Sequence, residues 1–138
     1  MTAAASPVTR SLPWFVAWAP AAVYMAIIWA VSSLSLPPSL PDEFPFRDKG
    51  IHFVEYGVLG LLVAFATRRT WPATSLLRTQ LFALIVCTGW GLLDELHQAF
   101  VPGRWADMGD GLADFLGASA GILIEMACVY FYRRGSRT

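Results

Sequence analysis

The sequence predicts an all-α membrane protein, a bundle of four transmembrane helices. Three observations predict it. Of the 138 residues, 56% are hydrophobic and only 14% charged, whereas a soluble domain carries about 25% charged residues; mean hydropathy is +0.51. Four segments are apolar over the roughly 20 residues that a spanning helix needs. Proline- and arginine-bearing breaks separate them. Residues 1–138 read as one transmembrane domain.

The first span runs from about Pro13 to Ser35. Arg10 before it and Ser32 and Ser33 near its end have the look of a signal peptide. Its apolar stretch, however, exceeds the roughly 7–15 residues of a signal core, so it reads as a retained span. Pro37, Pro38, Pro41 and Pro45 make the first connection irregular and extended. The second span runs from about Gly50 to Thr67 and is closed by Arg68-Arg69-Thr-Trp-Pro72. The third runs from about Leu76 to Phe100, and Pro102-Gly103 separates it from the fourth, Met108 to Tyr132. Backbone in lipid must satisfy its own hydrogen bonds, so each span is expected to be helical. Trp14, Trp71, Trp105, Tyr130 and Tyr132 fall near span ends, where aromatic belts form.

Four spans put both termini on one side. That side holds seven basic residues: Arg10, Arg68, Arg69, Arg78, Arg133, Arg134 and Arg137. The other holds three: Arg47, Lys49 and Arg104. The positive-inside rule then makes both termini cytoplasmic, with the bilayer as the first partner. Formal net charge is zero, and no basic tract offers nucleic acid the positive surface it requires. Cys87 and Cys128 lie inside apolar segments and read as small fillers, with no disulfide between them.

Charge is concentrated in two stretches, Asp48-Lys49-Gly-Ile-His52-Phe-Val-Glu55-Tyr56 and Asp94-Glu95-Leu-His97-Gln98-Ala-Phe-Val-Pro102-Gly103-Arg104-Trp-Ala-Asp107. Asp48, His52 and Glu55 are spaced i, i+4, i+7, on one helix face. Asp94, His97 and Gln98 share a face by i, i+3, i+4, with Glu95 turned away by about 100°. Asp107, Asp110 and Asp114 form a third stripe, continued by Gly117 and Gly121. Ionisable groups at membrane depth are costly, so the three faces are expected to turn toward one another, with Glu55 and Asp94 pointing inward. Gly57, Gly60, Gly117 and Gly121 allow the close approach this needs.

Plainer roles compete for several of these residues. Asp48 and Asp107 suit helix N-caps. Asp110 suits the first-turn dipole. Arg47, Lys49 and Arg104 suit interface anchoring. Tyr56 suits packing, and Glu125 an inner polar contact. The whole cluster could be a structural ion-pair network. As a site, the candidate catalytic groups are Asp94, Glu95, His97, His52 and Glu55. The candidate ligand-binding groups are Asp48, Lys49, Gln98, Arg104, Asp107, Asp110 and Asp114. Such a set suits a divalent metal, a phosphate held by Arg and His⁺ or general acid–base work.

The motifs Asp48-Lys49-x-x-His52-Phe-x-x-Tyr56-x-x-Leu59-Gly60 and Asp94-Glu95-x-x-Gln98-x-Phe100-x-Pro102-x-Arg104-x-x-Asp107-x-x-Asp110-x-x-x-Asp114-x-x-Gly117-x-x-x-Gly121 resemble the VanZ-like family of small bacterial membrane proteins. The resemblance covers roughly Leu12 to Tyr132. It departs at Asp114, where the family more often has Asn. It implies a link to the cell envelope; the family's name-giving member is associated with low-level resistance to the glycopeptide teicoplanin. Three functions follow as expectations. The first is binding of an anionic lipid or cell-wall precursor at an outward-facing polar site. The second is a membrane-embedded hydrolase or transferase, metal-dependent or acid–base, acting on a phosphate-bearing lipid. The third is a small proton-coupled transporter. No nucleotide-binding loop or nucleophile elbow appears.

Overall fold

The computed structural model describes residues 13–35 and 47–136, without the Arg47 side chain. The expectations placed on Arg10, Pro37, Pro38, Pro41, Pro45 and Arg137 fall outside these residues. The described chain forms four helices and no strand: α1 (Trp14–Ser32), α2 (Arg47–Thr70), α3 (Leu76–Gln98) and α4 (Met108–Gly135). All four are long and apolar enough to cross a membrane. Large apolar side chains such as Ile85, Leu92, Leu123 and Phe131 point outward along them. A soluble protein does not expose so much apolar surface; bilayer hydrocarbon covers it without cost. The chain is a multi-pass membrane protein.

Local chemistry sets the helix ends. α2 begins three residues before the expected Gly50, because Asp48 sits in the first helical turn, where the dipole favours a carboxylate. It ends after Arg68 and Arg69, which suit its negative C-terminus. α3 stops two residues before the expected Phe100. There the Phe100 and Val101 N–H groups bond back to the His97 and Gln98 carbonyls as the chain tightens into a turn. Gly103 completes that turn at φ 81°, a conformation that favours glycine. The Asp107 carboxylate then accepts from the Gly109 N–H at 2.7 Å and caps α4.

Packing centres on α2 against α4, which run parallel. A Cβ at Gly117 would strike the Phe53 carbonyl, one at Gly121 the Gly57 carbonyl, and one at Gly60 the Ala118 backbone. Glycine is what lets the two backbones touch. Tyr56, Leu59, Val63, Cys87, Ala118 and Ile122 fill the core around this seam. α1 packs on α2 and α3 and stays clear of α4. Cys87 is buried and Cys128 exposed, and both are free thiols.

Candidate functional site

The C-terminal ends of α1 and α3 meet the N-terminal ends of α2 and α4 at one end of the bundle, and both charged motifs lie there. On the α2–α4 side, Lys49 Nζ donates to Asp107 Oδ2 and, at 3.0 Å, to Asp110 Oδ1. One turn deeper, His52 Nδ1 and Asp114 Oδ1 are 2.9 Å apart, both buried. The chain returning from α3 brings the Asp107 N–H onto Glu95 Oε2 at 2.9 Å. Lys49 and the Gly109 N–H together hold the Asp107 carboxyl below the usual carboxylate range.

A second group forms between α1 and α3. Asp94 Oδ2 accepts from Ser32 Oγ at 2.7 Å and from Gln98 Nε2 at 2.9 Å. His97 Nε2 lies 2.9 Å from Ser33 Oγ, and its ring stacks on Trp29 at 4.2 Å. Arg104 donates from Nε to the Leu34 carbonyl and from a terminal nitrogen to the Val31 carbonyl, each at 3.3 Å. It thereby serves the unpaired carbonyls at the end of α1. Tyr56, fully buried, lies within electrostatic reach of Asp94 in this group and of Glu95 and Asp114 in the other. Half-exposed Glu55 makes no hydrogen bond among the described residues, but lies within electrostatic reach of His52, Asp94, Asp114 and Arg104.

The structure thus sorts the expected residues. One ligand atom each from His52, Glu95 and Asp114 fall within 4.8 Å of one another, all three residues buried; Asp48, His52 and Asp110 meet the same distance, with Asp48 exposed. Asp94, Gln98, His97 and Arg104 gather separately. One expectation is corrected. Glu95 is not turned away: it is 8% exposed, because α3 packs on two sides and the 100° step from Asp94 aims Glu95 at α4. Arg104 is partly engaged, since two of its five donors serve α1. Ser32, Ser33 and Trp29 entered the site unannounced. The signal available was two hydroxyls at the end of an apolar span, facing an acidic helix end.

At the opposite end the Glu125 carboxylate itself is fully paired, while Gln80 Oε1 beside it is buried without a partner. Glu125, 4% exposed, accepts from Arg68 Nε on one oxygen at 2.6 Å and from Gln80 Nε2 on the other at 2.7 Å. Both carboxylate oxygens are occupied, and three helices are tied together. At the motif end, Asp94 Oδ1, Glu95 Oε1, Asp114 Oδ2 and the Tyr56 hydroxyl are all buried without a hydrogen-bond partner. Buried polar groups are normally paired, and an orphan costs about 1–3 kcal/mol.

Comparison with known proteins agrees with this architecture. Neither the curated proteins nor the solved structures gave a match. A family model, VanZ/LLP1, matches residues 7–129, a stretch that holds all four spans' apolar cores and every residue of both charged motifs. On that match, the chain belongs to the VanZ/LLP1 family of membrane proteins.

Proposed function

We propose that this membrane protein acts at the cell envelope by binding, at the motif end, the phosphate-bearing headgroup of an anionic lipid or lipid-linked cell-wall precursor. One observation carries the reading. Glu125 shows how this fold treats a structural carboxylate, with both oxygens paired. The motif end instead keeps three carboxylate oxygens and a phenol buried and unpaired. Such a cost is retained mainly where a ligand relieves it. Carboxylate oxygens only accept, so that relief comes from a cation or donor accompanying the headgroup, while the phosphate itself is met by donors. Donors remain at the rim: Lys49 uses two of its three N–H groups and Arg104 two of its five. At the end of spans of this length, the rim would meet the lipid headgroups.

A second reading has its own support. The buried His52–Asp114 contact is the arrangement that orients an imidazole for acid–base work. The same site would then hydrolyse or transfer the phosphate it binds. Proton-coupled transport fares worse, because apolar Leu59, Val63, Ala83, Cys87 and Ile122 fill the buried core between the two polar ends.

The headgroup reading predicts saturable binding of short-chain phosphatidic acid to the purified protein. Diacylglycerol should not compete, and Lys49→Ala should weaken binding at least about tenfold, the loss of one charge-assisted contact. Equal binding of diacylglycerol would refute it. The proposed orientation places both termini in the cytoplasm. In a background with Cys87 and Cys128 replaced, Trp105→Cys should react with an impermeant thiol reagent added outside, and Ser136→Cys only after the membrane is opened. The reverse pattern would invert the assignment.

A further inference from the structure

We infer that His52, Glu95 and Asp114 form a binding site for one divalent cation of the manganese or zinc class. The inference deepens the headgroup reading and rests on it only for the source of the remaining ligand. Three observations converge. First, one donor atom from each residue falls within 4.8 Å of the other two. Metal–ligand bonds of about 2.0–2.2 Å bring such atoms together with a small closure. Second, each carboxylate has one oxygen committed and one free. Glu95 Oε2 holds the Asp107 N–H, and Asp114 Oδ1 meets His52. Glu95 Oε1 and Asp114 Oδ2 have no partner, in side chains more than nine-tenths buried. Third, Gly91 lets the Asp114 carboxylate close on α3, the helix that carries Glu95: a Cβ at 91 would lie 2.9 Å from Oδ2 and 3.2 Å from the Tyr56 ring.

Charge supports the assignment. Two carboxylates and a neutral imidazole have a combined charge of −2, which a divalent ion neutralises. Without it, two acidic groups share a low-dielectric site with one histidine, an arrangement that is costly at membrane depth. Mixed imidazole and carboxylate donors suit manganese, iron or zinc better than magnesium, which keeps several waters and demands octahedral geometry. The alternative set of Asp48, His52 and Asp110 shares His52, so one ion uses one set or the other. Asp110 is already held by Lys49 and Asp48 is exposed, which favours the inner set. The ion also resolves a difficulty of the headgroup reading. A phosphate approaching a floor of carboxylates is repelled, whereas a phosphate oxygen that completes the coordination of a bound cation is attracted.

The test uses the purified full chain, stripped with EDTA and titrated with Mn²⁺ under electron paramagnetic resonance. One saturable ion per chain is expected. Glu95→Gln and Asp114→Asn should each weaken it at least about tenfold, while Cys128→Ser leaves it unchanged. Glu95→Gln keeps an acceptor for the Asp107 N–H, so its fold is retained, and the wild-type signal depends on no variant. Non-saturable binding, or equal binding by Glu95→Gln, would overturn the site. Parallel titration with phosphatidic acid separates the two claims. Lipid bound equally well in EDTA, with no Mn²⁺ site, leaves the headgroup reading standing and removes the cation. A Mn²⁺ site with no phosphatidic acid binding does the reverse.

Discussion

Gly121→Leu should separate α2 from α4 and unfold the bundle at a temperature well below that of the native chain. The reason is geometric. A side chain at 121 grows into the Gly57 carbonyl and the Leu61 N–H, which are backbone atoms and cannot swing aside. Overpacking of a tight core costs about 1–3 kcal/mol and sometimes more, and this contact sits in the most intimate helix pair of the fold. Gly89→Ala is the control. Gly89 lies inside α3 with nothing near its missing Cβ, so alanine there should stabilise by up to about 1 kcal/mol through helix propensity. Thermal unfolding in detergent reads both. A Gly121→Leu protein as stable as the native chain would show that α2 and α4 do not rely on this seam.

The second large effect is expected at the opposite end. Glu125→Ala removes both acceptors from the Arg68–Glu125–Gln80 clamp and leaves Arg68 and Gln80 facing one another in a part-buried site. Breaking a buried pair by deleting one partner typically costs about 3 kcal/mol or more. Arg68 is about a quarter exposed, so water offsets part of that, and a loss on the order of 2–3 kcal/mol is expected. Glu125→Gln, which keeps one accepting oxygen but no charge, should lose less. A Glu125→Ala protein that unfolds with the native midpoint would remove the clamp from the account.

Much of this was legible in the sequence, element by element. The stripe Asp107, Asp110, Asp114, Gly117, Gly121 was readable because one rule governs it: a single buried face on a helix with small residues at the contact. Asp107 took the cap its residue type favours, and Asp110 and Asp114 turned inward. Glu95 was misread because the same single-face rule was applied to α3, a helix that is packed on two sides at its C-terminal end. The α1 contacts of Arg104 were not legible because its partners are backbone carbonyls, seventy residues earlier in the chain, and no residue pattern marks a carbonyl in search of a donor. The Arg68–Glu125–Gln80 clamp went unpaired for a related reason. A lone acid inside an apolar span announces that it has a partner, but spacing does not name a partner on another helix.

The central claim is that carboxylates at the motif end are kept for a ligand, while Glu125 is kept for the fold. Glu95→Gln in EDTA tests this most directly, by its unfolding midpoint set beside that of Glu125→Gln. Glutamine at 95 can still accept from the Asp107 N–H, and it removes a buried charge with an unpaired oxygen. The account predicts that Glu95→Gln leaves the midpoint unchanged or raises it, by on the order of 1 kcal/mol, while Glu125→Gln lowers it. A Glu95→Gln protein destabilised as much as Glu125→Gln would contradict the claim and make the motif end a structural ion-pair network.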